Sequence, residues 1–95
     1  MRTIYKQRLG AELESRYNGC DVSVRLDGIV SLSLQINKLK SLVSGKTILL
    51  SDGVYEEMYI DSYSVSDVEV NKESIVINMA RGSKITIKRI KEGKN

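Results

Sequence analysis

The spacing of apolar side chains changes along this chain, and the changes mark out its elements. In the first segment Tyr5, Leu9, Leu13 and Tyr17 recur every four residues, with Glu12 and Arg16 at an ion-pair spacing. That period predicts a helix with one buried face. Thr3 is a candidate cap, and Asn18-Gly19 supplies the left-handed residue that commonly stops a helix. Gly10 interrupts the pattern at a cost of about 1 kcal/mol relative to alanine. The alternative is a short strand over residues 2–6 followed by a helix from Arg8 onward.

From Cys20 the period falls to two. Cys20, Val22 and Val24 alternate with polar residues, as do Val30, Leu32, Leu34 and Ile36, with Asp27-Gly28 between the runs. This predicts a hairpin. A two-residue Asp27-Gly28 turn would put the two apolar rows on opposite faces. A three-residue loop, Leu26-Asp27-Gly28 with Gly28 left-handed, pairs Val24 with Val30, Val22 with Leu32 and Cys20 with Leu34, and gives both rows one face. The latter is the expected register.

After Ile36 the spacing is briefly helical, with Asn37 as cap, Leu39, Leu42 and Val43 inward and Gly45 at the end; a continuing strand is the alternative. Residues 47–50 read as a short buried strand ending at Ser51-Asp52-Gly53. Residues 54–70 carry Tyr55, Tyr59 and Tyr63 four apart, a spacing shared by one face of a helix and one face of a strand. The downstream valines favour a strand from about Met58. At the C-terminal end Ile75 to Met79 and Ile85 to Arg89 flank a loop, Ala80-Arg81-Gly82, that pairs Ile77 with Ile85, Ile75 with Ile87 and Glu73 with Arg89. Lys91 to Asn95 are expected to fray.

These elements predict a single α+β domain over residues 1–95, an N-terminal helix packed on an antiparallel, meander-type sheet of about five or six strands. A small curved β-barrel with an N-terminal helix is the alternative. It draws on a partial pattern: Ile48-x-Leu50-x-x-Gly53, then Ile60 and Tyr63, then Arg81-Gly82 and Ile85 look a little like the two-part motif of Sm-like RNA-binding barrels. Met58 stands where that pattern has glycine, and residues 20–36 have no counterpart in it.

Composition narrows the chemistry. The 95 residues are 41% hydrophobic and 28% charged, the balance of a folded domain rather than a disordered chain. No run approaches the roughly 18 apolar residues of a membrane span. The basic N-terminal residues have no apolar stretch behind them, so no secretory signal is expected. The lone Cys20 rules out an intrachain disulfide, which suits a reducing, cytoplasmic setting. It falls on the inward face of its expected strand, as a small core residue. There is no histidine, which removes Ser-His-Asp and Cys-His catalysis and the usual general base near neutrality. No phosphate-cradling glycine motif occurs. The expectation is no enzyme, no metal and no cofactor.

Charge is segregated. The net charge of +3 divides into +4 over residues 1–50, −6 over residues 51–73 and +5 over residues 74–95. In the acidic block a strand would show Tyr55, Glu57, Tyr59, Asp61 and Tyr63 on one face. Tyrosine is favoured at protein interfaces, and carboxylates beside it suit a basic partner. The competing view makes these rings core substitutes for the missing phenylalanine. In the basic block Arg81, Lys84, Lys88 and Arg89 form a candidate phosphate-binding strip, against the alternative of an edge strand guarded by lysines.

The favoured expectation is therefore a non-catalytic binding or regulatory module acting through protein–protein contact, an inhibitor or adaptor of the kind that phages and mobile elements carry. Nucleic-acid binding (RNA or single-stranded DNA) through the C-terminal hairpin comes second. A carboxylate-dependent enzyme using Glu56, Glu57 and Asp61 comes third. No membrane partner is expected, and an exposed hairpin edge leaves self-association open.

Overall fold

A computed structural model describes residues 2–90. The expected α+β architecture is present, but the described residues form nine strands rather than five or six, divided between two antiparallel sheets that do not close into a barrel. In chain order the strands are β1 (Arg2–Ile4), β2 (Val22–Asp27), β3 (Ser31–Ile36), β4 (Lys40–Ser44), β5 (Thr47–Ser51), β6 (Glu57–Asp61), β7 (Val65–Val70), β8 (Ser74–Met79) and β9 (Lys84–Arg89). The helix α1 spans Leu9–Tyr17. The larger sheet has the order β1-β7-β8-β9-β2-β3 and the smaller one β4-β5-β6. The smaller is a meander, while the larger joins β7-β8-β9 to β1 and β2 by long-range pairing.

Helix α1 starts later than the four-residue period suggests. Leu9, Leu13 and Tyr17 are buried, but Tyr5 lies exposed ahead of the helix. Residues 2–4 instead pair with β7, Thr3 facing Glu69 and Ile4 facing Val68, so Thr3 is a strand residue and not a cap. The strand-then-helix alternative describes this segment better, because an unpaired β7 edge is available to accept it. The helix ends as expected, with Gly19 at φ +79.

Strands β2 and β3 keep the expected parity and lose the expected register. Val24 pairs with Leu34 and Leu26 with Leu32, leaving Gly28, Ile29 and Val30 as the loop. Gly28 is not left-handed. The reason lies outside the hairpin: β9 pairs with β2 as far as Asp27–Lys84, and that second neighbour draws the strand beyond the point where a lone hairpin would turn. Asp27 then accepts hydrogen bonds from Arg25 Nε and Ser31 Oγ at the strand end. Cys20 precedes β2 and does not pair with Leu34. It is half-buried, with its Sγ near the carbonyls of Asn18 and Arg16.

No helix forms after Ile36. Lys38 adopts φ +52 and its amide donates to Asp21 Oδ1, a turn that hands the chain from the larger sheet to the smaller. Leu39 is buried as expected, whereas Leu42 and Val43 are exposed strand residues. The turn to β5 has Gly45 at φ +60 in its first central position, the geometry that a two-residue hairpin favours.

The C-terminal hairpin matches its expected register, Ile77 opposite Ile85 and Ile75 opposite Ile87, with Gly82 at φ +92. Its ladder ends at Ser74–Lys88, one pair short of the expected Glu73–Arg89, and the Arg89 guanidinium turns instead to the Arg16 carbonyl. In β7 the apolar spacing of Val65, Val68 and Val70 is irregular, and a bulge between Val65 and Asp67 restores all three to the inner face. The inner rows of both sheets and the buried face of α1 share one apolar cluster. The expected fraying of residues 91–95 lies outside the described residues.

Candidate protein-binding surface

Strand β6 is an edge of the smaller sheet, and its alternation decides what it shows. Ile60 points into the core and is buried, so Glu57, Tyr59 and Asp61 face outward. Across the sheet the register aligns Tyr59 with Leu49 and Leu49 with Leu42. Leu42 is 62% exposed and Tyr59 is 64% exposed, with Leu49 half-buried between them. An apolar row therefore crosses the outer face of all three strands. Its flanking rows are polar, Lys40–Ser51–Glu57 on one side and Ser44–Thr47–Asp61 on the other.

Tyr55 and Tyr63 lie outside β6, on the loop before it and the 3-10 turn after it, so the expected strand face of five residues is shortened to Glu57, Tyr59 and Asp61. Tyr55 is 89% exposed and Tyr63 70% exposed, which rules out the view of these rings as core substitutes. Tyr17 is the tyrosine that enters the core, its hydroxyl donating to the Ile87 carbonyl at 3.3 Å. Tyr55 sits on the β5–β6 loop, which Asp52 organises. One carboxylate oxygen of Asp52 accepts from the amides of Val54, Tyr55 and Glu56 at 2.7, 2.8 and 3.1 Å. These backbone donors, that of Val54 foremost, hold the Asp52 carboxyl below the usual aspartate range. Gly53 at φ +82 makes the tight turn that lets the three amides converge.

Tyr63 is held at the other end of β6. Asp61 Oδ1 accepts the Tyr63 amide at 3.0 Å and caps the short 3-10 turn Ser62–Ser64. Lys46 Nζ lies 4.8 Å from the Tyr63 ring centroid, in cation–π range. The Ser62 amide also donates to the Lys46 carbonyl, tying this turn to the β4–β5 hairpin. Exposed aromatic rings on fixed backbone present area without a large ordering cost on binding.

The basic set is dispersed. Strand β9 is interior to its sheet, so its lysines do not guard an edge. Lys84 and Lys88 do share the outer face of the larger sheet. Lys84 stands between Asn78 and Asp27, and Lys88 between Ser74 and Ser23. Asn78 Nδ2 donates to Asp67 and Glu69 on the same face, so carboxylates are interleaved with the lysines. The Asp27 carboxyl is held low chiefly by its hydrogen bond from Arg25, with Lys84 adding to the effect. Arg89 alternates to the opposite face, where its guanidinium donates to the Arg16 carbonyl at 3.2 Å. Arg81 lies on the β8–β9 loop. The four residues do not form one strip.

Glu56, Glu57 and Asp61 do not converge either: among the described residues no three His, Cys, Asp or Glu side chains are grouped to hold a metal ion. No helix among them is long and apolar enough to cross a membrane. Leu42 and Leu49 are the surface residues that the sequence pattern hid. Their signal was parity, since Leu49 alternates with the buried Ile48 and Leu50, but it becomes legible only once β4 is known to be a strand. Comparison with protein-family models, curated proteins and solved structures finds no match.

Proposed function

We propose that this chain is a non-catalytic binding module that engages another protein through the outer face of β4-β5-β6. The observation that carries this is the exposed row Leu42–Leu49–Tyr59, rimmed by Glu57 and Asp61, with exposed Tyr55 and Tyr63 just before and after β6. An apolar, aromatic centre with a polar rim is the anatomy of a protein interface. Four carboxylates, Asp52, Glu56, Glu57 and Asp61, stand in this region against Lys40 and Lys46, so the fitting partner surface is basic around an apolar centre. The same carboxylates repel phosphate and disfavour nucleic acid on this face.

The test is capture of a partner by the full chain, compared with Tyr59→Ala and Tyr59→Ala/Tyr63→Ala variants. Each lost aromatic anchor should cost about 2 kcal/mol, roughly thirtyfold in Kd. Replacing Lys84 and Lys88 by glutamine should leave capture unchanged. A folded double tyrosine variant that still captures the partner would overturn the proposal. Salt-steep binding to an oligonucleotide that disappears with the two lysines would put nucleic acid in its place.

A further inference from the structure

A concavity lies away from the tyrosine face. It is formed by the C-terminal end of α1, the β7–β8 turn and the end of β9, and encloses about 630 Å³. Four cations line it, Arg16, Lys72, Lys88 and Arg89, against one carboxylate, Glu73. The surplus among these side chains is three positive charges even when Glu73 is counted in full. A helix C-terminus attracts cations, but its dipole amounts to only about half an elementary charge. It offsets a fraction of the surplus and does not explain the clustering.

The two guanidiniums are fixed by the fold. Arg16 Nη2 donates to the Lys72 carbonyl at 2.7 Å, and its guanidinium carbon lies 5.4 Å from the Tyr17 ring centroid. Arg89 Nη2 donates to the Arg16 carbonyl at 3.2 Å. Each anchor uses one N–H of a five-donor fork, leaving further donors at both heads. Tyr17, buried beneath them and bonded to the Ile87 carbonyl, supplies a rigid floor. Paired, pre-positioned arginine forks with lysines beside them suit a tetrahedral dianion, because each fork can hold two of its oxygens. The volume lies within the range of roughly 300–1,000 Å³ typical of small-molecule pockets.

We propose that this concavity binds a phosphate-bearing small molecule of nucleotide size, with the phosphate between the Arg16 and Arg89 guanidiniums and the lysines adding to the positive field around it. The site is separate from the protein-binding face and does not depend on it.

The test titrates the full chain with inorganic pyrophosphate, adenosine 5′-diphosphate and adenosine, following backbone amides by NMR. The two phosphate compounds should shift the amides of Arg16, Tyr17, Lys72 and Lys88, and adenosine should not. A Lys72→Gln/Lys88→Gln variant, altered only at the surface, should bind adenosine 5′-diphosphate at least about tenfold more weakly. The Tyr59→Ala variant should bind it as the parent does. Absence of binding at millimolar phosphate compound, equal binding by the lysine variant, or equal binding of adenosine would each overturn the proposal. So would shifts that appear only with an oligonucleotide and centre on Lys84.

Discussion

Gly10 of α1 and Val43 of β4 meet so closely that a side chain at position 10 would collide with Val43 Cγ2. The glycine that weakens the helix as a local element is thus the point at which the helix crosses the smaller sheet. Helix propensity and tertiary contact pull in opposite directions here, and the contact prevails.

The opposition can be measured. Gly10→Ala gains about 1 kcal/mol of helix propensity but forces a β-branched neighbour off its preferred rotamer, at about 1–3 kcal/mol. Gly10→Ala should therefore destabilise the parent by about 1 kcal/mol and stabilise a Val43→Ala background. Urea denaturation of the four proteins in the cycle checks this. Equal effects in both backgrounds would show that the two residues are uncoupled.

Core and surface tyrosine-period residues should separate sharply. Leu13 is fully buried in the cluster, and Leu13→Ala should cost about 2–5 kcal/mol. Tyr59 is mostly exposed, and Tyr59→Ala should change stability by no more than about 0.5 kcal/mol. Denaturant midpoints of the two variants give the comparison. It also guards the binding experiment, since a stable Tyr59 variant that fails to bind has lost contact rather than fold.

Asp52 should make the Tyr55 loop sensitive to acid. Its carboxyl is held below the usual aspartate range in the folded chain because backbone amides, that of Val54 foremost, bind the anion. A depressed carboxylate contributes stability that is complete above the unfolded value and is lost as pH falls through the folded one. Asp52→Ala should therefore be less stable than the parent at pH 7, and the difference should shrink as pH falls below about 4. Paired urea titrations across that range test the sign.

The two hairpin glycines should respond differently to alanine. Gly82 occupies φ +92 with open space around a would-be Cβ, so Gly82→Ala meets only the backbone cost of a left-handed L-residue, about 1–2 kcal/mol. Gly28 lacks that conformation, and the nearest atom to its would-be Cβ is Ser83 Cβ at 3.3 Å. Gly28→Ala should cost less than Gly82→Ala, as thermal unfolding of the two variants would show. The reverse order would restore the Asp27-Gly28 turn with Gly28 left-handed.

The β8–β9 register was legible because every constraint on it was local. Gly82 sets the turn, and the period-two alternation of Ile75, Ile77, Ile85 and Ile87 admits one parity. The β2–β3 register was half legible. Its parity followed from the same alternation, but its displacement came from β9, a strand more than fifty residues further on that holds β2 as far as Asp27. The candidate site was legible only in part. Glu57, Tyr59 and Asp61 share one face only if their segment is a strand, and the four-residue tyrosine spacing left a helix open. Whether that face was wet or covered was not legible, and the partners Leu42 and Leu49 were hidden by a spacing that fits a helix as well as a strand.

The sequence by itself determined the class of most well-patterned segments, the Gly82 turn and the absence of histidine chemistry, because each depends on residues within a few positions of one another or on residue type alone. Only the tertiary structure decided that residues 2–4 leave the helix for β7, that Lys38 turns the chain into a second sheet, and that the Leu42–Leu49–Tyr59 row stays uncovered. These outcomes rest on which surfaces remain to be buried once the other elements have packed. That is a sum over residues distant along the chain, and no local pattern encodes it.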